Sequence, residues 1–114
     1  MNKDIEEIFH GKITVDEKDI PIAFRKYSGS EETYIVWYND GNVPVFSADD
    51  KIIYSVNSVE FNIYSKRNYL DIVDKLKDIL EENDYLWTGD SEDLYEEDTK
   101  YHHFVMTFEK LRRK

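Results

Sequence analysis

Cysteine is absent from this chain of 114 residues, and proline and glycine are scarce, with two and four residues respectively. Without cysteine, neither a disulfide framework nor a thiolate metal site can form. Four scattered glycines provide no glycine-rich phosphate-binding loop. Long apolar runs are also missing, and the first nine residues are rich in charge, so the sequence predicts neither a membrane-spanning helix nor a signal peptide.

Basic residues are outnumbered by acidic ones, 15 to 25, which gives a formal net charge of −10. Binding to a nucleic-acid backbone needs concentrated lysine and arginine, so this class of function is disfavoured. An acidic excess is typical of a soluble protein, of one that docks on a basic partner, or of one that imitates nucleic acid. The aromatic share of 15%, with nine tyrosines, favours flat protein–protein contacts.

The clearest pattern is a strand, a turn and a helix between Val59 and Asn83. Val59, Phe61 and Ile63 alternate with polar residues, as in a strand with one buried face. Asn68 is suited to cap a following helix, which we predict over 68–83. Its apolar residues recur at three- and four-residue steps and span an arc of roughly 120°: Tyr69, Ile72, Val73, Leu76, Ile79 and Leu80.

Elsewhere, apolar residues on one side predict a helix over 4–10. Alternating and β-prone segments predict further strands at 13–15, 20–27, 33–38, 52–64, 85–87 and 101–108. Turn-forming residues predict breaks at 39–42 and 88–90, an irregular segment over 43–50, and an acidic loop over 91–100. This order predicts one domain, 1–114, of the α+β class. We expect an antiparallel-rich mixed β-sheet of about four to five strands, with a short N-terminal helix and one long amphipathic helix (68–83) packed on one face.

No catalytic or metal-binding constellation is evident. His102 and His103 are adjacent on a predicted strand and should point to opposite faces, one satisfied at the sheet and one exposed. The acidic run from Asp90 to Asp98 could attract Ca²⁺, but Tyr95 and Tyr101 stand where an EF-hand loop needs glycine and glutamate. We therefore predict a non-enzymatic protein with no catalytic residues, no metal and no cofactor.

Several stretches are similar to those of a known group of proteins: IPIAF (20–24), YSG (27–29), TYIV (33–36), ADDK (48–51), YSKRNY (64–69) and DLYEEDT (93–99). Together they resemble small proteins encoded among the tail genes of prophages in low-GC Gram-positive bacteria, the minor tail or tail-completion components. Arg67 stands where that group is expected to have glycine. The order of segments is also similar to lambda-type tail terminators, which form a hexameric ring on the tail tube.

The resemblance implies a non-catalytic structural tail protein, a terminator or a tail-completion or head–tail joining component. It would assemble as a ring, hexameric in the virion, at the head-proximal end of the tail tube. Its partners would be itself and other tail or head-completion proteins, with no nucleic acid, membrane or small-molecule substrate. The expected location is the virion tail, with the host cytoplasm during assembly.

Such a ring needs contact surfaces, and two sets of residues are candidates. The aromatic second face of the central strands is one set, with Tyr34, Tyr38, Tyr54 and Tyr64. The other set is acidic, apart from one tyrosine: Asp49, Asp50, Asp93, Tyr95, Glu96, Glu97 and Asp98.

The alternative is a small acidic regulator or DNA mimic that binds a host nucleic-acid enzyme. A mimic should display carboxylates in rows across one surface at phosphate-like spacing. Here the charges alternate with lysine along the helix and concentrate in one stretch, which favours the structural interpretation.

Overall fold

A computed structural model describes residues 2–46 and 52–113. Within these ranges two helices and six strands follow in the order α1 Asn2–Phe9, β1 Lys12–Val15, β2 Lys18–Phe24, β3 Tyr34–Phe46, β4 Ile52–Ser65, α2 Leu70–Glu82, β5 Leu86–Glu96 and β6 Tyr101–Arg113. The strands form one sheet in the order β1-β2-β3-β4-β6-β5. Neighbouring strands are antiparallel except for β2 and β3, which are parallel.

The predicted fold class is wrong. The described chain is a β-rich domain with a curled, six-stranded mixed sheet and two short helices, not four to five strands under one long helix. Helix α2 has 13 residues and begins at Leu70 rather than at 68. The Asn68 side chain does accept a hydrogen bond from the Leu70 N–H, at 3.0 Å. This bond forms a turn just before the helix, but the N-cap position is occupied by Tyr69, whose side chain makes no capping hydrogen bond, so the prediction that Asn68 is the N-cap is wrong.

Two of the predicted breaks, 39–42 and 88–90, are also wrong because both lie inside long strands. Each is a point where the strand pairing shifts register. Gly41 has φ 146° and Gly89 has φ 93°, values that favour glycine. A β-bulge uses this backbone freedom as readily as a turn does, so residue preference alone could not separate the two.

The sheet curls around helix α2. The two bulges lie at the same level, because β4 and β6 pair Val59 with Phe108 between them. Bulges bend a strand and increase its twist. Helix α2 consequently contacts both edge strands, β1 and β5.

One face of the sheet, the covered face, packs against both helices. Its fully buried side chains include Ile35, Phe61, Ile63 and Phe108 from the strands, with Leu76 from α2. Phe61 meets Phe9 of α1 and Phe108 of β6 edge-on, with ring centroids 6.2 Å and 5.7 Å away. This apolar layer fixes the sheet, so the opposite face is held in place without a covering helix in the described ranges. We call that second face the open face.

Candidate interaction surface

The open face carries a column of four rings, which we call the open-face stack: Tyr27, Tyr34, Tyr64 and His103. Strand register creates most of it, because Tyr34 pairs with Tyr64 and Tyr64 pairs with His103. Successive ring centroids are 4.7, 5.0 and 4.1 Å apart, all in stacked orientation. Tyr101 meets Tyr34 and Tyr64 edge-on, at 6.1 and 6.3 Å. Contacts of this kind stabilise beyond the area that they bury.

Tyr27 reaches the stack from the connection between β2 and β3, residues 25–33, which crosses the open face. Its hydroxyl accepts a hydrogen bond from the Glu31 N–H at 3.0 Å. Gly29 lies so close to the Tyr27 ring that a Cβ there would clash with it. The connection is therefore folded around the ring, and a side chain at position 29 would force the Tyr27 ring to move.

His103 ends the stack and begins a polar chain. Its Nε2 donates to Asn62 Oδ1 at 2.7 Å, and Asn62 Nδ2 donates to the Glu60 carboxylate at 3.1 Å. Burial lowers the pKa of His103, although the carboxylates of Glu96, Glu60 and Glu92 favour the charged form. The imidazole is thus held neutral and oriented beside three acidic groups.

Burial also acts on the tyrosines of the stack. It raises the pKa of Tyr34 and of Tyr64, and nearby tyrosines and the Glu96 carboxylate add to the effect. Both hydroxyls therefore stay protonated at neutral pH, and neither is available as a base.

A groove of about 500 Å³ runs beside the stack on the open face. Its lining includes Asn62 and His103 at one side and Glu92 and Leu94 of β5 at the other. Val105 forms part of its floor on β6. The groove is open and mixed in polarity, which suits side chains of a docking protein better than an enclosed small molecule.

Strand β5 occupies the segment that was predicted to be an acidic loop, so that prediction is wrong for 91–96. Residues 91–96 pair in order with 106–101 of β6. Only 97–100 form the turn, where the Thr99 hydroxyl donates to the Glu96 carboxylate at 3.1 Å. An edge strand need not be apolar, because neither of its faces is fully buried. The acidic residues of this segment therefore predicted a loop where the structure has a strand.

The hairpin of β5 and β6 is attached to α2 on the covered face. The Tyr69 ring stacks on Phe104 at 5.4 Å and lies 5.5 Å from His102, whose other neighbour is Tyr95 at 5.0 Å. Burial and then a hydrogen bond to the Asp93 carboxylate raise the pKa of Tyr69 to about 12. The acidic strand is thus positioned by a row of rings that begins just before the helix.

The two ends of β6 differ in charge. At its start lies the exposed turn with Glu97 and Asp98, which also carries Lys100, and the Lys66 ammonium lies 5.1 Å from the centre of the Tyr101 ring beside it. At its end the sequence places Arg112 and Arg113, whose backbones pair with Ser55 and Tyr54 of β4. Thirteen residues of strand separate these ends by about 40 Å. We call them the acidic end and the basic end of the sheet.

The residues predicted as interface do not form one patch. Tyr64 and Tyr38 lie on the open face, and Tyr38 is 37% exposed. Asp93 and Tyr95 contact the row of rings on the covered face.

The remaining predicted residues divide between the acidic end and the part of the chain not described. Glu96, Glu97 and Asp98 lie at or in the turn of the hairpin. Asp49, Asp50 and the side chain of Tyr54 lie outside the described residues. Whether any of these positions contacts a partner stays a prediction.

Sequence reasoning missed Tyr27 and Asn62, and it gave His103 no role. The prediction that His102 and His103 point to opposite faces is confirmed, since His103 stacks on Tyr64 of the open face, whereas His102 lies tilted against Tyr69 and Tyr95 on the covered face. The expectation that one of them is exposed is wrong, because both are half-buried. The alternation of Tyr101, His103 and Val105 was the available signal for the open-face stack.

A second cleft, of about 640 Å³, lies between the β1–β2 turn, the 30–33 segment and the start of α2. Lys18 and Arg67 line it together with acidic residues that include Asp19 and Asp71. The Thr14 hydroxyl and the Lys12 ammonium lower the pKa of Asp19. Its charges are paired or solvated, and they do not converge on a reacting position.

Other kinds of site find no support in the described part of the chain. Within residues 2–46 and 52–113, no three acidic or histidine side chains come together as a metal site. Neither α1 nor α2, the helices of those ranges, is long and apolar enough to cross a membrane.

Comparison with protein families and with curated proteins identifies no relative. No protein-family model matches the chain, and no curated protein matches it at a significant level.

Proposed function

We propose that this protein is a structural, non-catalytic component of the tail of a long-tailed phage. It acts as a tail terminator or as a tail-completion or head–tail joining protein and assembles with copies of itself as a ring at the head-proximal end of the tube. The separation of charge along the sheet carries the proposal. The exposed acidic residues Glu97 and Asp98 at one end of β6, and the two arginines that the sequence places at its other end, favour contacts in which each copy meets its neighbour head to tail.

Two further features support this assignment. The resembling stretches YSKRNY and YEEDT lie at the acidic end, where the open-face stack is ordered and still partly exposed. The carboxylates of β5 divide between the two faces of the sheet, with Glu92 beside the groove and Asp93 beside Tyr69. Carboxylates distributed in this way do not form the single row that a DNA mimic needs, so the assembly role is favoured.

Charge reversal at each end tests the head-to-tail contact. One variant replaces Glu97 and Asp98 with lysine, and a second replaces Arg112 and Arg113 with glutamate. Each should block assembly, because like charges then face one another in every contact. A third variant with both sets of changes should assemble again, since its two ends are again complementary.

Complementation of a phage that lacks the gene provides the measurement. Electron microscopy should show aberrant tail length or failed head joining with either single-end variant, and normal virions with the combined variant. Melting temperatures close to that of the wild type would show that the changes act on assembly and not on folding. Normal virions from the deletion phage itself would refute the tail function, whereas failure of the combined variant alone would refute only the head-to-tail contact.

A further inference from the structure

The outer edge of strand β5 has the properties of a strand-accepting site. It is the last strand of the sheet, and within the described residues no strand pairs with its outer edge. In such an edge, every second residue directs its N–H and C=O groups outward. The bulge at 88–90 interrupts the edge, so the regular part runs from Ser91 to Glu96.

Exposed apolar side chains are concentrated on this edge. Among the described residues seven large hydrophobic side chains are exposed, and four of them belong to β5: Leu86, Trp87, Leu94 and Tyr95. Leu94 is 45% exposed and faces the open-face groove, and Tyr95 is 54% exposed on the opposite side. An added strand would cover both side chains at once.

Two of the usual protections of an edge strand are missing. Natural edges often carry proline or lysine, but β5 contains neither. Its protections are the bulge at 88–90, which keeps the regular part short, and negative charge, including Glu92 and Glu96. Two copies of β5 would place these carboxylates together and repel each other, so the charge blocks self-pairing and leaves the edge open to a basic strand.

We propose that Ser91–Glu96 binds an extended, basic segment of another protein by β-strand addition. Main-chain hydrogen bonds to β5 would supply much of the affinity. Lysine or arginine side chains of the partner would meet Glu92 and Glu96, while an apolar side chain between them would cover Leu94 and reach the groove. This site is distinct from the head-to-tail contact, which involves the turn and the basic end, and it does not depend on the tail function.

The probe is a short synthetic peptide in which lysine, valine and lysine occupy every second position, with threonine between them, because residues two apart lie on one face of a strand and can face Glu92, Leu94 and Glu96 together. In a titration followed by NMR, amide resonances of Ser91–Glu96 should shift and their exchange with solvent should slow, while those of β1, the other edge, should not change. A peptide of the same sequence with every backbone nitrogen methylated should bind about tenfold more weakly or not at all, because neither of its edges can then donate hydrogen bonds to a strand. The same peptide with glutamate in place of each lysine should not bind, because its carboxylates would face Glu92 and Glu96.

Two matched variants complete the test. Leu94→Lys puts a positive charge on the edge and should weaken binding of the lysine peptide at least about tenfold. Leu70→Lys makes the same chemical change at an exposed leucine of α2, 58% accessible, and should leave binding unchanged. Equal binding of the methylated peptide would overturn the proposal, as would shifts confined to other residues. Concentration-dependent shifts of the same amides without peptide would also overturn it, because the occupant would then be a second copy.

Discussion

The side chains on the two faces of the sheet are ordered by different contacts. On the covered face, apolar side chains such as Phe61 and Ile63 are fully buried against the helices. On the open face, Tyr34, Tyr64 and His103 are ordered by ring stacking and hydrogen bonds while they stay partly accessible. The covered face has the properties of a core, and the open face has those of a preformed contact surface. Side chains on a sheet face can therefore be ordered without being excluded from water.

We expect the largest loss of stability from truncation of a buried side chain on the covered side. Leu76 of α2 is fully buried, so Leu76→Ala should lower the free energy of unfolding by about 2–5 kcal/mol. Leu70→Ala is the control in the same helix, because Leu70 is 58% exposed and should change stability by less than about 0.5 kcal/mol. Chemical denaturation measures both. Equal midpoints for Leu76→Ala and the wild type would show that α2 does not hold the sheet.

A smaller loss should follow a change in the middle of the open-face stack. Tyr64→Leu keeps an apolar side chain but removes the ring between Tyr34 and His103. Because an aromatic pair contributes about 0.5–1.5 kcal/mol beyond burial, we expect a loss of that order. Tyr38→Leu, on the same face and 37% exposed, should cost less. If the two variants lose the same stability, the stack does not organise the open face.

The sequence was informative where a local pattern and burial coincide. Phe61 and Leu76 were both expected in the core from their spacing, and both are fully buried. The breaks at 39–42 and 88–90 were misread because glycine, asparagine and aspartate suit bulges and turns equally. Whether a strand continues past such residues depends on the neighbouring strand, which local spacing does not reveal.

The candidate surface was harder to predict than the core. Tyr34 and Tyr64 could be assigned to one face by alternation, but the stack also needs Tyr27 from a connection and His103 from a distant strand. Those contacts depend on the register of three strands and on the path of 25–33. The prediction for the acidic segment was wrong for another reason. Its strand lies at an edge, where neither face is fully buried and the sequence therefore shows no hydrophobic alternation.

The smallest expected effect is a dependence of stability on pH. It arises on the open face only, from His103. Burial lowers the pKa of His103, so the folded protein binds its proton less tightly than the unfolded chain does. Stability should therefore be complete above the unfolded pKa of about 6.5 and should fall as the pH drops through that value. His103→Gln, which keeps a donor for Asn62, should flatten this part of the curve of melting temperature against pH. An unchanged slope in that variant would assign the pH dependence to other groups.

The carboxylates around His103 allow the same prediction to be sharpened. Glu60 favours the charged imidazole, and Glu60→Gln removes that charge while keeping an acceptor for Asn62. The pKa of His103 should then fall further, so the loss of stability should extend to lower pH. An NMR titration of the His103 ring measures the pKa directly in both proteins. A pKa that does not fall would show that the Glu60 carboxylate does not favour the charged imidazole.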